Sequence, residues 1–128
     1  MDSESVAQPD HSQHLPYLRL TAEQVIKDFG FFGHEITFSG NEKSAFEELY
    51  AQVLPLVKHL VDKDFGAFCN LLYRIDLGEA MVRKMMRESE DFYADITQSI
   101  LKRELQKVVL RAHFNRPSEG DPHAPALE

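Results

Sequence analysis

The residues of this chain equipped for chemistry are six histidines, a single cysteine and several clustered carboxylates. Metal binding is the first chemistry to weigh, because imidazole, thiolate and carboxylate are the ligands zinc takes. Only His11 and His14 fall close together, in a polar N-terminal stretch, while His34, His59 and His113 lie on separate segments with no second ligand at helical spacing. A zinc site needs three or four converging ligands, and a four-helix di-iron centre needs Glu-x-x-His pairs on two helices. Neither pattern is present, so no metal and no other cofactor is expected.

Acid–base chemistry would need carboxylates that converge. Glu47 and Glu48 are consecutive and so diverge by about 100° on a helix, and Glu88, Glu90 and Asp91 read as the acidic start of a helix, where the dipole favours them. Ser39, Ser44, Ser89 and Ser99 have no nucleophile-elbow context. Cys69 stands among Phe68, Leu71 and Leu72 and reads as a buried thiol behaving as a small hydrophobe. Gly30 and Gly33 belong to neither a phosphate loop nor a dinucleotide fingerprint. No catalytic residue is assigned, and the reading leans away from an enzyme.

Two polar features stand apart. Glu104 sits beside Leu101, Leu105 and Val108, inside an apolar helical period, and Arg74 sits at a corner with Asp76. A charge on an apolar stripe needs a partner, so an ion pair between Arg74 and Glu104 across the fold is expected; the alternative is a surface Glu104 paired near Lys107. The other feature is Met85 and Met86, after Met81, with Arg83, Lys84 and Arg87 interleaved. Thioethers fill cores and adapt to partner surfaces alike, so this pair is a candidate interaction site, with core packing the plainer reading.

The elements that must position these residues are helical. Across 89–114, Phe92, Ile96, Ile100, Leu101, Leu105, Val108 and Ala112 recur at steps of three and four, the spacing that stacks side chains on one face. Ser89 is placed to cap this helix, with Glu90, Asp91 and Asp95 near its start and Lys107, Arg111 and His113 near its end. A second stripe runs from Phe46 through Leu49, Tyr50, Val53, Leu56 and Val57 to Leu60, behind a capping-box spacing of Ser39 and Glu42; Pro55 lies off the stripe and predicts a solvent-side kink. Asp64 is placed to cap a helix over 65–73, LLYRID reverses the chain, and Asp76 with Glu79 repeats the capping-box spacing before a helix bearing Ala80, Val82 and Met85 or Met86. Thr21 and Gln24 suggest a short helix through Phe29, stopped by Gly30. Residues 34–39 alternate as an extended segment would, and 18–20 is the stretch available to pair with it. The fold expected is all-α, an antiparallel bundle of four to five helices, over 16–114, with disordered tails at 1–15 and 115–128, where proline and polar residues supply no apolar period.

The formal charge of −7 disfavours nucleic acid as the main partner, since phosphate binding depends on Lys and Arg. Residues 101–128 nevertheless hold five basic and four acidic side chains against nine and seventeen before them. Lys102, Arg103, Lys107 and Arg111 are therefore candidate interaction residues, although they lie on different faces and mostly complement the helix end. The start lacks a basic leader and an apolar segment, and no run approaches the ~20 apolar residues that span a bilayer. A cytoplasmic protein with no membrane contact is expected.

The segments LLYRIDLGEA and ILKRELQKVVLR resemble a group of small uncharacterised bacterial proteins that share a YRID-type corner and a RELQKV-type terminal helix, over about residues 21–114. The resemblance implies a cytosolic bacterial protein and carries no activity, cofactor or catalytic residue. The leading functional expectation is a noncatalytic protein-interaction module, partnered by an unknown protein or by a second copy. The alternatives are a nucleic-acid binder through the last helix and a small-ligand pocket or enzyme in the aromatic-rich stretch 29–38.

Overall fold

Apolar stripes on successive segments can be buried only against one another, and the computed structural model, which describes residues 15–115, shows how. Its helices are α1 (Leu15–Phe31), α2 (Ala45–Lys63), α3 (Phe65–Ile75), α4 (Glu79–Glu88) and α5 (Phe92–Asn115), with a 3₁₀ turn at Glu42–Ser44 before α2. No strand occurs among the described residues. The fold is all-α. The expected tails, with His11 and His14, lie outside the described residues apart from Leu15 and Asn115, which are the first and last helical positions.

The last helix is the hub of the bundle. It packs against each of the other four, where its sequence suggested one stripe seeking one surface. Ile96, Thr97, Ile100, Leu101, Glu104 and Val108 are buried along it. Contacts of Gln24 with Arg111 and of Asp62 with Tyr93 show α1 and α2 running antiparallel to α5. Val25 and Phe29 from α1, Leu49, Val53 and Val57 from α2, and Phe68 and Ile75 from α3 complete the core.

Several expected caps are replaced by neighbours. Helix α1 starts six residues before Thr21, which is fully buried and donates its hydroxyl to the Tyr17 carbonyl (2.7 Å) instead of capping. Residues 18–20 are thus helical and unavailable as a strand, because Leu18 extends the buried stripe of Ala22 and Val25. The helix ends beyond Gly30: His34 N–H bonds to Phe29 O and Gly33 N–H to Gly30 O, with Gly33 at φ +85, the left-handed terminator that glycine adopts without a Cβ penalty. Ser89 closes α4 by donating its N–H to Met85 O, and Asp91 caps α5 by accepting from Ala94 N–H (3.2 Å). Asp64 does cap α3, accepting from Ala67 N–H at 3.1 Å. Pro55 lies exposed within a single α2, on the side away from the core.

The expected Ser39–Glu42 capping box is absent. Asn41 accepts from Lys43 N–H, while the hydroxyls of Ser39 and Ser44 both donate to Glu48 Oε2 at 2.6 Å. These bonds, the Ser39 hydroxyl first, hold the Glu48 carboxyl below its usual range. Residues 34–39 form no strand and are tied to α2 by its side chains. Thr37 N–H donates to Gln52 Oε1 (2.9 Å) and Thr37 O accepts from Gln52 Nε2 (2.8 Å), so one amide reproduces a rung of a β-ladder.

Candidate interaction groove and buried ionic cluster

The corner at LLYRID is built as expected, by a different device. Leu77 N–H bonds to Leu72 O and Asp76 N–H to Tyr73 O, with Asp76 left-handed at φ 67. Aspartate tolerates that region because its short side chain bonds locally. Here Arg103 reinforces it, donating from Nε to Asp76 O and from Nη2 to Asp76 Oδ2, both at 3.0 Å. Asp76 therefore ends α3 and does not cap α4, whose N-cap is Gly78 with no side-chain bond.

Reversing the chain here lays α4 beside α3 and leaves a groove of about 600 Å³ between them, lined by Phe65, Cys69, Tyr73, Leu77, Val82 and Met86 among others. Phe65, Cys69 and Tyr73 repeat at i+4, a stripe adjacent to the core face of Phe68, Leu71, Leu72 and Ile75. Cys69 is accordingly exposed, which corrects the expectation of a buried thiol. Tyr73 is 89% exposed, Phe65 44% and Met86 45%. The methionine pair divides: Met85 packs on the core, and Met86 lines the groove.

The second constellation lies where α1, α3 and α5 meet. Glu104 is fully buried, which decides against a surface position, although Lys107 does stand beside it. Arg74 does not pair with it. The Arg74 Nε binds Asp28 Oδ1 at 3.0 Å, and its guanidinium lies 4.0 Å over the Phe31 ring, because the end of α1 stands between α3 and Glu104. Gln24 Nε2 also donates to Asp28 Oδ1 (3.1 Å), and Gln24 Oε1 accepts from Arg111 Nη1 (3.0 Å). Lys107 Nζ stands 3.6 Å from both Asp28 Oδ2 and Glu104 Oε1. Burial, then the neighbouring Asp28 carboxyl, push Glu104 up to about 8. Asp28 is pushed up by burial too, but the neighbouring Glu104 carboxyl, the bonds from Gln24 and Arg74 and the charge of Lys107 outweigh that and hold it below the usual range.

The basic residues of the last helix are thus mostly occupied. Arg103 clasps Asp76, Lys107 faces the buried carboxyls, and Arg111 holds Gln24, while Lys102 is exposed beside a second hollow of about 530 Å³ with Phe46 and Tyr50. In the aromatic stretch, Phe29 is fully buried, and Phe32 and Phe38 pack on the core. No group of three or more His, Cys, Asp or Glu placed to hold a metal ion occurs among the described residues.

Asp28 and Tyr73 are the residues that sequence reasoning passed over. Both carried a signal: Asp28 follows Val25 by three on the α1 stripe, and Tyr73 follows Cys69 by four.

The chain is thus an all-α antiparallel bundle that carries an open apolar groove and a closed ionic cluster. Comparison with protein-family models, curated proteins and solved structures returns no match. No described helix is long and apolar enough to cross a membrane.

Proposed function

We propose that the protein is a noncatalytic interaction module whose α3–α4 groove receives an amphipathic helical segment of a partner protein, with acidic residues flanking the partner's apolar face. The observation that carries this reading is the exposure of Phe65, Tyr73 and Met86 around one apolar groove. Aromatic and methionine side chains are the types enriched at interface cores, and a groove between two helices suits an apolar helical face. The acidic flank is argued from charge. Arg83, Lys84 and Arg87 surround the α4 methionines on a chain that is otherwise acidic, and only Arg83 has an ion-pair partner, Glu79, among the described residues.

Engagement of Arg103, Lys107 and Arg111 by groups of this chain weighs against a nucleic-acid surface on α5. A reducing cytosol belongs to the same reading, since the exposed Cys69 thiol persists there.

The test is an NMR titration of the full chain with a designed amphipathic helix carrying Leu on one face and Glu on its flanks. Resonances of Tyr73, Cys69 and Met86 should shift with micromolar affinity, a Lys-flanked version should bind more weakly, and Met86→Glu should weaken binding at least tenfold with helicity unchanged. Shifts confined to other surfaces, or equal binding of both peptides, would reject the proposal. Light scattering across micromolar concentrations separates the remaining outcome: a homodimer abolished by Met86→Glu would make a second copy the occupant.

A further inference from the structure

We propose that Asp28 and Glu104 share one buried proton, and that this proton is the latch fastening α1 to α5, with Arg74 extending its hold to α3. The argument begins with a donor inventory. The Glu104 side chain is fully buried and that of Asp28 is 3% exposed. Asp28 Oδ1 is satisfied twice, by Arg74 and Gln24. Asp28 Oδ2 and both Glu104 oxygens receive no hydrogen bond from any side-chain or backbone donor. Lys107 Nζ, at 3.6 Å from each carboxyl, is beyond hydrogen-bond reach of either.

Buried acceptors without donors are costly. A single carboxylic acid O–H, donated from one carboxyl to the other, engages two of these three oxygens and removes one of the two buried charges, leaving one Glu104 oxygen without a donor. The neighbours decide which group carries it. Asp28 has a guanidinium and an amide on Oδ1 and keeps the negative charge; Glu104 has only the more distant ammonium and keeps the proton. The charged groups facing the pair are Arg74 from α3 and Lys107 from α5, with Arg111 linked through Gln24 of α1. Neither α2 nor α4 places a charged side chain in ion-pair contact with it among the described residues.

Losing the proton leaves two carboxylates in the interior with the Lys107 ammonium, 3.6 Å from an oxygen of each, to offset them. Either the Lys107 ammonium swings between them or α1 parts from α5. Glu104 holds its proton up to about pH 8, whereas the unfolded chain releases it near 4.5. Folding at neutral pH therefore takes up a proton, and raising the pH through this window weakens the bundle.

The carboxyl carbons of the full chain, followed by ¹³C NMR from pH 4 to 9 together with urea unfolding, test the latch. Glu104 should titrate near 8, the urea midpoint should fall between pH 5 and 8, and Glu104→Gln, whose amide can donate to Asp28 at any pH, should abolish most of that fall. Asp28→Asn should lower the Glu104 titration point, because it removes the carboxylate that shares the proton; burial by itself would leave it unmoved. The proposal is overturned by Glu104 titrating in the ordinary carboxylate range, by an unchanged titration in Asp28→Asn, or by Glu104→Gln keeping the wild-type pH profile.

Discussion

Thr97 is fully buried on α5, and its hydroxyl has no hydrogen-bond partner. Burying such a group unbonded costs about 1–3 kcal/mol, while valine has nearly the same shape without the hydroxyl. Thr97→Val is accordingly expected to stabilise the protein by about 1 kcal/mol, read as a higher urea midpoint at constant slope; a lower midpoint would show that the hydroxyl is bonded in solution. At this scale the sequence was informative wherever a polar residue broke an apolar period. Glu104 was legible in that way, and Asp28 would have been had α1 been taken back to Leu15. The partner of Arg74 was not legible, because the choice between Asp28 and Glu104 depends on which helix stands nearer to the end of α3. Cys69 was misplaced because its neighbours in sequence are buried, although its i−4 and i+4 companions, Phe65 and Tyr73, lie on the outer stripe.

At the scale of elements, helix existence was legible from periodicity, and most errors fell on the ends. Ser39, Ser89, Thr21 and Asp76 all have the right chemistry to cap, yet each is diverted: to Glu48, to the end of α4, to the Tyr17 carbonyl and to Arg103. Each takes another partner within reach, and for Ser39 and Asp76 that partner comes from a different helix. The segment 34–39 depends on such a bond from Gln52. Gln52→Ala should release that segment locally, at a cost of about 1 kcal/mol. Hydrogen exchange at Thr37 should accelerate while amides in the core of α5 keep their protection; uniform acceleration would mean that the segment is coupled to global unfolding.

For the whole molecule, the ionic cluster sets the shape of stability against pH. Asp28, held below its ordinary value of 3.8, contributes stability above that pH, and this is lost as the solution is acidified through its folded value. Glu104, raised from 4.5 to about 8, contributes fully below 4.5 and progressively less as the pH climbs to 8. The two limbs predict a stability maximum near pH 4, between the ordinary values of 3.8 and 4.5 of the two carboxyls, falling by a few kcal/mol at pH 8; a urea midpoint that rises steadily from pH 5 to 8 would contradict it. The sequence by itself determined the helical class, the stripes of α2 and α5 and the reversal at LLYRID, since periodicity and local chain chemistry specify which face of a helix must leave water. Only the tertiary structure decided that α5 touches all four other helices, that Asp28 takes Arg74, that one glutamine amide replaces a strand, and that Tyr73 and Met86 frame an open groove. Those outcomes depend on which surfaces meet at what register, and side chains far apart in sequence settle them by competing for the same partners.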